Sequence, residues 1–275
     1  MNGSDAARLA GYVSTWRSAV DDVLALLRDL EPADWSRPTD LAGWDVRAVA
    51  AHLAHLEAEL AGMPQDQVEV PEDLPHVRSL MAAYTEAGVI ARRDREPAEI
   101  IDELSAAADA RAAEFADLAP ADGAGVPPRT PGGIGWDWET LLGNRPLDVA
   151  MHEQDVRRAV GRPGNLDSAG VAHCVTRLTP GMAFVWGKKA QAAAGQTLRL
   201  VVTGPTPADL AFAVGDDGRA RPVEVPADPT VTLTMDTEAF LVLAGGRRSH
   251  EDVDVTVEGD PDLAARVLDH LAVTP

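Results

Sequence analysis

Apolar residues recur at three- and four-residue steps through the first 165 or so positions, the period of helices with one buried face. Leu9, Val13, Trp16, Val20, Val23, Leu24 and Leu27 mark the first helix, with Ser4 or Asp5 as its expected cap. Pro32, Pro38 and Gly43 punctuate a loop. Asp45, or Trp44 just before it, opens a second helix to about Gly62, with Val46, Val49, Leu53, Leu56 and Leu60 as its stripe. MPQDQVEVPEDLP reads as a loop and residues 76–92 as a weaker helix. Pro97, at a first-turn position, starts a clearer helix through about Leu118. After the turn-rich link APADGAGVPPRTPGGIG, Trp136 or Asp137 begins a helix running toward Val160, with Pro146 expected to bend or break it. Four helices of this length predict an antiparallel bundle. Its long connections weigh against tight up-and-down loops, and such loops are often where substrates are gripped.

The pattern changes after GRPGNL, at Gly161 to Leu166. A helix is expected from about Asp167 to Trp186. Two-residue alternation follows in Leu198, Leu200 and Val202, and again in Val231, Leu233 and Met235. Asp217-Gly218 is a hairpin signal. A short helix is expected around Thr237 to Ala244. DVDVTVEG predicts a strand with Val253, Val255 and Val257 on one face, and Asp260-Pro261 caps a last helix bearing Leu263, Val267, Leu268 and Leu271. The expected organisation is a helical bundle over 1–165 and a small α+β domain with a mainly antiparallel sheet over 166–275.

Composition narrows the function. The 275 residues hold 24 Lys+Arg against 44 Asp+Glu, a net charge of −20. That balance argues against nucleic-acid and anionic-lipid partners. The acidic residues are spread along the chain, as on a solvated surface. A single cysteine, Cys174, excludes an intrachain disulfide framework and a cysteine-rich zinc site. It fits a small buried hydrophobe. No stretch reaches the length of a membrane span, and the first residues lack a basic, apolar leader. A cytoplasmic location is expected. Nothing in the sequence specifies an oligomeric state.

The chemistry gathers in DVAMHEQD. Asp148, His152 and Asp155 stand at i, i+4 and i+7, on one helical face. Asp148 and His152 would have Cβ atoms about 5–6 Å apart, close enough to share a divalent ion. His52, about 60° off the centre of its helix's apolar arc, is a third donor. Three ligands leave a position open, as in a catalytic site, and histidine with carboxylate suits Zn²⁺ or another first-row metal. Asp155 can orient a ligand histidine. The alternative is a solvated helix face. His55 and Glu59, three and seven residues after His52, are candidate proton carriers or exposed side chains. Arg247, after Gly245-Gly246, is a candidate for holding an anionic group, or follows a plain helix stop. His76, His173, His250 and His270 have no partners at informative spacings.

These segments resemble the mycothiol-dependent maleylpyruvate isomerase family. LAGWDVRAVAAHL, ending near His52, is similar to its first motif, and RPLDVAMHEQDVRRAVGRP to its second. LAGGRRSHEDVDVTVEGD is similar to a third, which puts Arg247 and Asp260 in view. The resemblance spans nearly the whole chain. It implies a DinB-like four-helix bundle followed by a sterol-carrier-protein-like α+β domain, with His52, Asp148 and His152 as ligands of Zn²⁺ or another divalent metal. It also implies mycothiol as thiol cosubstrate and a small electrophilic substrate, with thiol S-transferase or cis–trans isomerase chemistry. Arg247 would hold an anionic group of either. A metal-dependent DinB-like hydrolase and a non-catalytic small-molecule-binding protein stay open as alternatives. One position departs from the family: its acidic ligand is typically glutamate, and Asp148 is one methylene shorter.

Overall fold

Four long helices form the first part of the chain in the computed structural model, which describes residues 3–274. They are α1 (Gly3–Arg28), α2 (Val46–Leu60), α4 (Pro97–Leu118) and α5 (Trp138–Val160), with a shorter α3 (Leu80–Ile90). α1 packs on α5 and α4, and α2 packs on α4, α3 and α5. The bundle expected from periodicity is present, and α3 adds a layer against α2.

Local chemistry sets the helix ends. The Asp45 side chain accepts from the Ala48 N–H, Ser79 from Ala82 and Asp137 from Thr140, each satisfying a donor that a helix start leaves open. At the other end of α5, Gly161 takes a left-handed conformation, and the Arg162 N–H reaches back to the Arg157 carbonyl. α1 is described from Gly3, so Ser4 and Asp5 both lie within its described residues. α5 continues through Pro146. The proline removes one backbone bond in 23 residues, and packing on both sides holds the rest. All eight residues from Val149 to Val156 are buried, which is why that segment shows no clean apolar stripe.

The chain divides at Gly164/Asn165. The second unit opens with α6 (Ala169–Leu178) and α7 (Gly181–Phe184), then a wide turn at Val185–Lys189. The continuous helix expected to Trp186 is interrupted because Pro180 lacks the N–H that would continue the backbone bonding, although Thr179 and Pro180 keep helical angles. Five strands follow: β1 (Thr197–Thr203), β2 (Ala208–Val214), β3 (Ala220–Val223), β4 (Val231–Asp236) and β5 (Thr256–Gly259), with α8 (Thr237–Ala244) after β4 and α9 (Pro261–Leu268) last. The sheet order is β3-β2-β1-β4-β5, antiparallel except for the β1–β4 pair. Leu198, Leu200 and Val202 stand beside Val231, Leu233 and Met235 in that pair, and all six are buried.

One strand differs from expectation. β5 is shorter than DVDVTVEG: Asp252 belongs to a short turn capped by Ser249, and β4 pairs only with Thr256–Gly259. Val257 is exposed, as an edge strand with a single four-residue pairing permits. Among the described residues, no helix is long and apolar enough to cross a membrane.

Candidate metal centre

α2 and α5 bring two histidines and a carboxylate to one point inside the bundle. Asp148 Oδ1 lies 3.6 Å from His52 Nε2 and 3.6 Å from His152 Nε2. One donor atom from each residue falls within 4.8 Å of the others, the one such group of three among the described residues. Both histidines are buried, while Asp148 keeps 28% of its side chain exposed and forms the open edge. The imidazoles meet edge to face with centroids 4.8 Å apart. The Trp44 indole covers them, 5.0 Å from the His52 ring and 6.1 Å from that of His152.

Electrostatics prepares each donor. Burial pushes the His52 pKa down to about 4, so the ring is neutral near pH 7. Both its nitrogens are buried without a hydrogen-bond partner, and 3.6 Å to Asp148 is too long to be one. An unsatisfied buried imidazole is costly unless something else takes its lone pair. Burial alone would raise the Asp148 pKa, but Arg145, His52 and His152 outweigh it and hold the carboxylate well below its usual range. His152 Nδ1 lies 3.0 Å from Asp155 Oδ2. With the Nδ1 proton directed at that carboxylate, the Nε2 lone pair faces the cluster. Asp155 thus sits where the helical spacing placed it, and the face is buried rather than solvated.

Two charged chains extend the arrangement, and neither was read from the sequence. Arg145 donates from Nη1 to Asp148 Oδ2 at 3.0 Å and from Nη2 to Glu57 Oε1 at 2.7 Å. Glu57 is fully buried and also accepts from the Trp16 indole and from Arg111. Burial opposes its ionisation, but the two guanidiniums overcome that and lower its pKa. On the far side, Arg158 donates to Asp155 and, at 2.9 Å, to Asp40. A signal for Glu57 was present: it lies four residues after Leu53 and eight after Val49, inside the apolar arc. Its partners are 41, 54 and 88 residues away, out of reach of local periodicity.

The other candidate residues lie elsewhere. His55 is buried, with Nδ1 2.9 Å from Gln65 Oε1, Nε2 without a partner, and its ring 5.3 Å from that of Tyr84. Glu59 accepts from the Tyr84 hydroxyl and, at 3.3 Å, from the Gly132 N–H. The two form a group with Tyr84 on the α3 side of α2. Arg247 belongs to the second unit, where it follows the left-handed Gly246 and donates from Nη1 to the Gly245 carbonyl. Asp260 caps α9. Cys174 is buried, and His250 Nε2 lies 3.3 Å from Asp269. His76 Nε2 lies 3.0 Å from Glu86 Oε2, which also accepts from the Trp44 indole at 2.8 Å.

Fold and site together define a helical bundle with a His–Asp–His cluster in its core, followed by an α+β unit. The chain belongs to the mycothiol maleylpyruvate isomerase family: the N-terminal domain of that family matches residues 16–157, and the MDMPI C-terminal domain matches residues 167–266. A crystal structure of the mycothiol-dependent maleylpyruvate isomerase superposes with a TM-score of 0.54 at 16% identity, covering 91% of this chain and 92% of the other. The H52A mutant of a mycothiol-dependent maleylpyruvate isomerase superposes equally, at 15% identity. At these identities the likeness is one of fold. No curated protein matches the chain.

Proposed function

We propose that this protein is a metal-dependent, mycothiol-using enzyme, a thiol S-transferase or cis–trans isomerase acting on a small electrophile. Family membership supports the thiol and the enzyme class. The observation that carries the metal is the unpartnered, buried His52 imidazole facing Asp148 Oδ1 and the lone pair of His152. A nitrogen–oxygen–nitrogen donor set suits Zn²⁺ or another divalent ion, and His52, Asp148 and His152 would hold it.

When bound, the ion would act as a Lewis acid that lowers the pKa of a thiol brought to it. The chain's own residues do the rest. Burial keeps His52 neutral and able to donate its lone pair. Arg145 engages Asp148 Oδ2 and leaves Oδ1 turned to the histidines, which suits the shorter aspartate. Asp155 fixes the tautomer of His152. Trp44 shields the cluster from water on one side. His55 and Glu59, joined through Tyr84, are the proposed proton carriers, and Arg247 the proposed holder of an anionic group. A cytoplasmic location suits such a thiol-using enzyme.

The test is the metal content of purified protein by elemental analysis, wild type beside His152→Ala. About one zinc per chain, lost in the variant together with thiol-dependent turnover, is the expected result. Absence of metal from both proteins would remove the basis of this reading.

A further inference from the structure

The two oxygens of Asp148 have different partners. Oδ1 lies 3.6 Å from His52 Nε2 and 3.6 Å from His152 Nε2. Oδ2 accepts from Arg145 Nη1 at 3.0 Å. A carboxylate can bind a metal ion through one oxygen or through both. Here one oxygen faces the histidines and the other is already engaged.

Side chains from four helices hold Arg145 where it is. It stands on α5, three residues before Asp148. Its Nε and Nη2 both donate to Glu57 Oε1 on α2, at 3.1 Å and 2.7 Å. Glu57 accepts in turn from the Trp16 indole of α1 at 3.0 Å and from Arg111 of α4. The guanidinium is a planar fork of fixed geometry, so docking one edge on Glu57 sets the direction of Nη1. Arg145 is 3% exposed and Glu57 is fully buried. Turning the guanidinium away would strand a buried charge, which is costly.

Charge makes the arrangement compatible with a divalent ion. An arginine beside a metal ligand would by itself repel the ion. The connected group holds two guanidiniums, Arg111 and Arg145, and two carboxylates, Glu57 and Asp148, so their charges cancel. An ion at Oδ1 would therefore meet a group with no excess positive charge.

We propose that Arg145, anchored by Glu57, is a positioning residue that confines Asp148 to one-oxygen ligation and so keeps a coordination position free for the thiol. This rests on the metal-and-thiol reading above and deepens it. The test uses the full chain loaded with Co²⁺, whose visible absorption weakens as more ligand atoms bind it, and 2-mercaptoethanol as the thiol. Arg145→Met removes the guanidinium and leaves Glu57 paired with Arg111 and Trp16. Its cobalt form is expected to lose band intensity, because the freed Oδ2 joins Oδ1 on the ion. Its thiol affinity, read from the near-ultraviolet thiolate-to-cobalt band, is expected to fall at least about tenfold. A residue that served packing alone would lower the thermal midpoint and leave both readings unchanged, and that result would overturn the proposal. Should Arg145→Met fold poorly, the crystal structure of cobalt-loaded wild type decides. Oδ1 on the ion with Oδ2 still on Arg145 is expected there, and both oxygens on the ion would overturn the proposal. Wild type that takes up no cobalt would sink the metal reading and this proposal with it, whereas uptake with an unchanged variant sinks the proposal alone.

Discussion

Glu57 and Asp155 are carboxylates without exposed surface, each gripped by arginine; Asp155 touches the candidate ligand His152, and Glu57 is joined to Asp148 through Arg145. The proposed role of both is to fix direction, since neither presents an oxygen to the point where the three donor atoms meet. Asp155→Asn keeps the shape but removes the charge that orients His152. We expect metal affinity to fall roughly 10–100-fold, read by competition with a chelator. An unchanged affinity would show that Asp155 serves packing alone. His52 gives a second residue-scale prediction. Its pKa is about 4 in the metal-free fold against 6.5 in the open chain. Between these values the unfolded state binds a proton that the folded state refuses. Stability present above pH 6.5 is therefore lost as pH falls toward 4, by up to about 3 kcal/mol. Urea denaturation of metal-free protein at neutral and acid pH should show a steeper loss in wild type than in His52→Leu. Parallel losses would rule out His52 as the source.

At the scale of elements, the sequence was most legible where a cap and a period agree. Asp45, Ser79 and Asp137 cap their helices, and Thr237–Ala244 has the bounds that its pattern predicts. The helix across Pro180 and the long strand at Val253–Val257 were misread because apolar spacing there continues past a residue that cannot continue the backbone pattern, or past a strand's only neighbour. The Asp148–His152–Asp155 face was legible from helical spacing, but that His52 would meet it depended on how α2 and α5 pack. The Arg145–Glu57–Arg111 chain links three helices and leaves no local trace. α3 shows how closely elements are fitted. Gly88 lies directly on the His55 ring, where a Cβ would overlap it. Alanine in a helix interior ordinarily gains about 1 kcal/mol over glycine, whereas overpacking costs about 1–3 kcal/mol. The second effect wins here, so Gly88→Ala should lower the thermal midpoint. A raised midpoint would mean that α3 yields freely.

Across the whole molecule, the dominant electrostatic fact is a net charge of −20. Its internal arginines are spent on buried or bridging pairs such as Arg92–Glu103, Arg145–Glu57 and Arg158–Asp155, which leaves the excess of acid to repel itself at the surface. Screening becomes effective once the Debye length falls to about 8 Å near 0.15 M salt. Thermal stability should therefore rise on going from dilute buffer to that ionic strength, as followed by circular dichroism. A fall would show that the surface pairs contribute more than the repulsion removes.

The run Arg145, Asp148, His152, Asp155, Arg158 along α5 sets opposite partners at steps of three and four, each side chain facing the next. Such a ladder has a consequence for how the gene can change. Substitution at one rung perturbs its neighbours. Deletion or insertion of one residue between Arg145 and Arg158 turns every later rung by about 100° away from the earlier ones. Over this stretch the reading is inherited as a unit of length: drift in residue type is permitted outside the rungs, drift in spacing is not.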